Sequence, residues 1–217
     1  MRIVAISDLH GVLPEIPDCD LCLIVGDIFP IDFDRDPERC HRWASRDLTY
    51  WLSSIPSKAT VAVAGNHDFF IRDNPVMMRD YSFRWQLLFN ESFTFDGLKI
   101  WGSPNVPVLS TWAFYASPAE EREIYGKIPL DTNILMTHTP PRGVGDRIWP
   151  HAQWVGSEAL REMLTTDEFP DLMLHVFGHI HEDFGEHHWF GHDHKIFNTS
   201  IMDEHYDPVN PITIIDL

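Results

Sequence analysis

Residues 60–68 read TVAVAGNHD, an apolar, valine-rich run that stops at Gly65 and passes at once into Asn66, His67 and Asp68. A short uninterrupted apolar run bounded by a turn residue reads as a buried strand, here Thr60 to Ala64. The same arrangement recurs along the chain. Asp8 and His10 follow the run Arg2 to Ser7, Asp27 follows Leu21 to Val25, His138 follows Asn133 to Thr137, and His179 and His181 follow Leu172 to Phe177. In an α/β sheet the loops beyond the strand carboxyl ends gather into one crevice, so these separated segments are expected to converge.

Between the strands lie helix patterns. Pro37 to Ser54 carries Trp43, Leu48, Trp51, Leu52 and Ile55 at mixed spacings, after Asp36 as cap and with Pro37 in the first turn. Pro118 to Tyr125 and Ser157 to Leu164 are two further helix candidates. Leu98 to Ser103 is another strand, and Ser92 to Phe95 meets its first residues through Asp96-Gly97 as a hairpin. His187 to Phe190 and Lys195 to Asn198 read as a second hairpin, joined by Gly191-His192-Asp193, and Ile212 to Asp216 as a closing strand. The alternation predicts an α/β layered fold with mixed sheets in one domain, residues 1–217. Thr139 to Val155 is the one long loop, and such loops more often carry function than not.

Sixteen basic against thirty-three acidic residues leave a formal charge of -17. That charge repels long nucleic acid and offers no basic stripe for reading it, whereas cations bound among carboxylates would still attract a small phosphate ester locally. No signal-peptide or membrane segment is visible, and three cysteines provide no disulfide framework, so a reducing cytoplasm is the expected compartment. Cys19 and Cys22 form a C-x-x-C without a second pair, and Cys22 opens the run LCLIV, which reads as core.

Carboxylate and imidazole without thiolate suit manganese, iron, zinc, cobalt or nickel better than calcium or magnesium, and manganese is favoured here. Two divalent ions are the expected count. A bridging carboxylate such as Asp27 would let a shared water be acidified while both charges face phosphoryl oxygens, a design for phosphoester hydrolysis.

Taken in order, Asp8-Leu9-His10, Gly26-Asp27, Gly65-Asn66-His67-Asp68, His138 with the following prolines and Gly178-His179-Ile180-His181 resemble the calcineurin-like metallophosphoesterase superfamily. The resemblance implies two mixed β-sheets packed as a sandwich flanked by helices. It also implies one metal on Asp8, His10, Asp27 and His181 and another on Asp27, Asn66, His138 and His179. His67 then corresponds to the catalytic histidine that protonates the leaving oxygen, and Asp68 to a residue that orients the loop. Gly102-Ser103-Pro104, Trp112-Ala113-Phe114, MTHTPP at 136–141, LHVFGHIHEDFG at 174–185, and FNTS at 197–200 with NPITIIDL at 210–217 are similar to the metallophosphoesterase-domain-containing branch. That branch implies a phosphodiesterase acting on 2′,3′- or 3′,5′-cyclic nucleotides or related small diesters. Gly26-Asp27 runs on into Ile28-Phe29-Pro30, without the aspartate that partners the histidine in the phosphoprotein phosphatases of the superfamily. A phosphomonoesterase and a catalytically silent scaffold are the rival readings.

Asn105 and Arg142 are candidate substrate contacts, Arg142 as a phosphate clamp or as an ordinary solvated loop arginine. Trp149 and Trp154 could stack on a base, although anchoring of their loop is the plainer expectation. His187, His188, His192 and His194 read as surface histidines and His175 as a core one, with His41, His151 and His205 unassigned. The tail Asn198 to Leu217 is expected to close the sheet rather than to meet substrate.

Overall fold

The computed structural model describes residues 1–217 apart from 34, 108–109, 150–152, 166–168 and 190. Among the described residues two large sheets face each other. The first contains β1 (Arg2–Ile6), β2 (Cys19–Val25), β3 (Ser57–Val63), β4 (Gln86–Leu88) and β13 (Thr213–Asp216), in the order β13-β1-β2-β3-β4. The second contains β5 (Glu91–Phe95), β6 (Leu98–Ser103), β7 (Ile134–Thr137), β10 (Leu174–Phe177), β11 (Gly185–His187) and β12 (Lys195–Asn198), in the order β11-β12-β10-β7-β6-β5. Each is parallel at its centre and antiparallel at an edge, β13 in one and β5 and β11 in the other. The expected sandwich of mixed sheets is the observed fold.

Strand periodicity explains why the layers stack. Ile3, Ala5, Leu21, Leu23, Val25, Val61 and Val63 point into the gap between the sheets and meet Ile100, Ile134, Met136, Leu174 and Val176 from the other side. Their neighbours Val4, Ile6, Cys22, Ile24 and Ala62 point outward onto helices, so these strands are buried on both faces and read as continuous apolar runs. Cys22 is thus core, as its setting in LCLIV indicates, and burial pushes its thiol pKa upward.

The helix over Pro37 to Ser54 forms in three pieces, α1 (Pro37–Trp43), a π-helical turn (Ala44–Leu48) and α2 (Thr49–Ser54). Asp36 caps it, accepting the backbone N–H of Glu38 at 2.9 Å and of Arg39 at 3.1 Å. The π turn absorbs the five-residue step from Trp43 to Leu48 that fits no α spacing, returning Leu48, Trp51 and Leu52 to the sheet. Short helices α3 (Phe69–Asp73) and α4 (Pro75–Met78), which periodicity does not reveal, follow the GNHD loop. α5 (Pro118–Tyr125) begins with a capping box, Ser117 N–H donating to Glu120 Oε2 at 2.8 Å, and Ser157 caps α6 (Glu158–Leu164).

Two expectations need correction. The second hairpin pairs Gly185–His187, rather than His187 to Phe190, with Lys195–Asn198, so its connection is longer than Gly191-His192-Asp193; Phe190 lies outside the described residues. The long loop holds a small antiparallel pair, β8 (Arg147–Ile148) with β9 (Gln153–Trp154), while Pro150 and His151 lie outside the described residues. The tail closes the first sheet with β13 as expected, and Tyr206 within it, outside the strands, lines the crevice. Among the surface-read histidines His188 is exposed, whereas His187, His192 and His194 are half-buried; His175 is fully buried with Nε2 2.8 Å from Thr137 Oγ1. Among the described residues no helix is long and apolar enough to cross a membrane.

Candidate metal centre

The strand ends meet through backbone hydrogen bonds. Asp8 N–H donates to Gly26 O at 2.9 Å and His10 N–H to Asp27 O at 2.9 Å, which zips the loop after β1 to the loop after β2. His138 N–H donates to Ser103 O and Gly178 N–H to His138 O, tying the loops of the second sheet together. Asp8, His10, Asp27 and His179 all have φ between 43° and 70°. Left-handed backbone at four non-glycine residues, each among the expected ligands, is strain held in place by this network. Glycine is required beside them: a Cβ on Gly65 would collide with the Asp27 carboxylate, and one on Gly178 with Ser7 and Asp8.

All seven expected ligands come together. Asp8, His10 and His181 offer ligand atoms within 4.8 Å of one another, and so do Asp27, His138 and His179. The group His10, Asp27 and His67 links them. Asp27 Oδ2 lies 3.4 Å from His138 Nε2, 3.8 Å from His10 Nε2 and 4.0 Å from His67 Nε2. Asn66 joins on the second side, its Oδ1 3.0 Å from His138 Nε2. The far nitrogens of two rings are occupied: His138 Nδ1 donates to Val25 O at 2.8 Å and His181 Nδ1 to Asp203 O at 3.0 Å. Such bonds fix ring orientation and leave Nε2 of each facing the cluster, the arrangement usual for metal-binding imidazole.

The electrostatics point the same way. Burial raises the cost of ionising Asp8, but its hydrogen bond to His181 and the charges of His181 and His138 outweigh this and hold its pKa low. Asp27 is also held low against burial, chiefly by His138. Burial opposes protonation of His138 and His181, yet the Asp27 and Asp8 carboxylates lift both to about 9. His10 is driven by burial to about 4, against the pull of the Asp27 and Asp8 carboxylates. Both of its ring nitrogens lack a hydrogen-bond partner among the described residues although its side chain is 3% exposed. Two buried carboxylates that call up imidazolium partners, beside a buried imidazole with nothing to bind, form a donor set that divalent cations would satisfy.

Asp68 stands behind the cluster. It accepts the N–H groups of Ile28 at 2.8 Å, Phe29 at 3.0 Å and Gly65 at 2.8 Å, clamping the GNHD loop to the segment after Asp27. His67 is 15% exposed at its side chain and packs edge-on against Trp112, ring centroids 4.2 Å apart. Beyond it a cleft of about 240 Å³ opens over Asp27, Asn66, His179 and His181. Its remaining walls are Trp112, Glu182, Glu204 and Tyr206. Tyr206 packs against His10 at 5.0 Å and His181 at 4.9 Å, and no spacing or periodicity marks it, because the tail reaches the crevice only through the folded chain path.

Asn105 and Arg142 do not line this cleft. Asn105 is 8% exposed and donates from Nδ2 to Phe114 O at 3.1 Å, bracing the segment that carries Trp112. Arg142 is exposed and faces Glu158 at 3.4 Å. Trp149 and Trp154 are exposed and flank the Arg147 guanidinium.

Comparison with known proteins agrees with the fold. A family model described as calcineurin-like phosphoesterase matches residues 1–183. Metallophosphoesterase domain-containing protein 1 of Homo sapiens is 28% identical over 100% of this chain and 71% of its own length. A UPF0046 protein of Caenorhabditis elegans is 30% identical over 85% of this chain and 65% of its own. A probable rhamnogalacturonate lyase C of Emericella nidulans is 32% identical over 86% of this chain, which spans 18% of that protein's length. One solved crystal structure shares the fold with a TM-score of 0.58 at 16% identity, covering 91% of this chain and 89% of its own. With a match across residues 1–183, the chain belongs to the calcineurin-like phosphoesterase family.

Proposed function

We propose that the protein is a phosphodiesterase dependent on two divalent cations, manganese favoured, acting on cyclic nucleotides or related small diesters. The observation that carries this reading is Asp27, a single buried carboxylate facing both ligand groups with His67 on its cleft side. Asp8, His10, Asp27 and His181 would hold one cation and Asp27, Asn66, His138 and His179 the other. When bound, two such cations supply charge to phosphoryl oxygens and acidify water.

The chain's own residues supply the rest. In hydrolysis a P–O bond to the oxygen of water forms, the P–O bond to the leaving alcohol breaks, and that alcohol needs a proton. His67, beside Asp27 and open to the cleft, is the donor. Tyr206 and Trp112 wall the cleft and limit bulk water. Glu182 and Glu204 at the walls favour a diester, which carries one negative charge, over a monoester carrying about -1.5 to -2 at pH 7.

The test is a turnover panel with manganese-loaded and chelator-stripped protein, using 2′,3′- and 3′,5′-cyclic nucleotides, acyclic diesters and the matching monoesters. Metal-dependent release from diesters above monoesters is expected. Faster monoester cleavage would make the protein a phosphomonoesterase, and no release from any ester would leave the scaffold reading.

A further inference from the structure

His67 and Trp112 line two cavities. One is the cleft over the ligand cluster, and the other is a cavity of about 150 Å³ that shares these two side chains as walls and is lined further by Phe29, Pro30, Phe69 and Phe70 with Arg35. We propose that this second cavity is the leaving-group subsite and that it takes a planar aromatic ring. The inference rests on the phosphoesterase reading, because it needs the phosphoryl group to be anchored by the ligand cluster next to His67.

Three observations support it. In-line displacement sends the departing oxygen away from the attacking one, and the proton donor must stand where that oxygen leaves. His67 is that donor, so the group attached to the leaving oxygen must sit beside His67, and His67 is a wall of this cavity. The walls are aromatic: Phe29 packs on Phe70 at 5.4 Å, Phe69 on Trp112 at 6.3 Å and 34°, and Trp112 on His67 at 4.2 Å. Such walls present ring faces and edges that an inserted ring meets in offset or edge-on contact. The Arg35 guanidinium carbon sits 3.7 Å from the Phe69 ring centroid, adding a cation able to face a second π surface. The size also selects, since about 150 Å³ of apolar space is enough for one benzene ring. An aryl ring or a nucleobase fits this description, while a short alkyl group leaves the walls unfilled.

The experiment compares phenylphosphonate with methylphosphonate, inert anions sharing one anchor, by calorimetric titration of the manganese-loaded protein. The ring should give about tenfold or more tighter binding from apolar burial. Phe69→Leu, which keeps apolar volume, and Arg35→Ala, at an exposed residue, should each erode that preference without weakening methylphosphonate. Equal affinities, whether both anions bind or neither does, would overturn the subsite, as would a preference that survives in both variants. An aryl preference without any ester turnover would keep the subsite and remove the enzymatic reading, and diester turnover without aryl preference would do the reverse.

Discussion

Asp27 Oδ1 accepts the backbone N–H of His67 at 2.7 Å, so the carboxylate that faces both ligand groups also sets the position of His67, the proposed proton donor. The same side chain therefore has separable duties. Asp27→Asn keeps an oxygen acceptor of similar shape but removes the charge. It should abolish binding of a second cation and also weaken the apo fold, since buried His138, whose protonated form the Asp27 carboxylate supports, loses its ionic partner. Asp27→Ala should lose the cations and in addition about 1–3 kcal/mol for the stranded His67 N–H. Elemental analysis and denaturant unfolding of both variants check this; two ions retained in either would refute the bridging role.

Cation binding should stabilise the native protein, since the unfolded chain lacks the cluster. At a free cation concentration about 100 times the dissociation constant the gain is about 2.7 kcal/mol. Thermal unfolding with and without manganese measures it, and the rise in midpoint should vanish in Asp27→Asn.

His67 lies 4.0 Å from Asp27 Oδ2, and the proposed ligand sets do not include it. His67→Ala should cut turnover roughly 100- to 10,000-fold with metal content unchanged. Esters of acidic phenols, whose leaving oxygen needs no proton, should lose far less. A uniform loss across leaving groups would assign His67 another role.

Glu121 offers a pH signature remote from the cluster. The residue is 2% exposed, and burial raises its pKa to about 7 against the pull of the Ser157 and Tyr125 hydroxyls. Between its ordinary value of 4.5 and about 7 the folded state holds a proton that the unfolded chain has released, so this group makes stability fall as pH rises through that window. Its contribution is on the order of 2–3 kcal/mol. Glu121→Gln should flatten that part of the profile in urea unfolding between pH 4 and 8, and an unchanged slope would count against it.

A methyl group at Gly178 would overlap Ser7 and the Asp8 carboxylate. Gly178→Ala should displace Asp8 and weaken cation binding about tenfold or more, at an overpacking cost of about 1–3 kcal/mol. Calorimetric titration with manganese reads the first effect and thermal unfolding the second.

The central strands and the residues just beyond them were legible because both belong to local chain order. A buried parallel strand is an apolar run, and Asp8, Asp27, Asn66, His138 and His179 each sit one to three residues past one. The short elements α3, α4 and β4 were not legible, since a few residues carry too little periodicity to stand out from loop. Asn105 resembled a crevice residue by its place after Gly102-Ser103-Pro104, but its amide is spent on Phe114 O, a partner that only the folded segment supplies.

By itself the sequence determined the layered α/β class and set Asp8, His10, Asp27, Asn66, His138, His179 and His181 just beyond apolar strand runs, because each of these features is fixed by residue type and distance from a strand end. Tertiary structure decided that Asp27 belongs to a group with His10 and His67 and to another with His138 and His179, that Tyr206 returns from the tail to His10 and His181, and that a second, aromatic-walled cavity shares His67. Those relationships join residues far apart in the chain, and their distances come from how two sheets pack rather than from any local pattern.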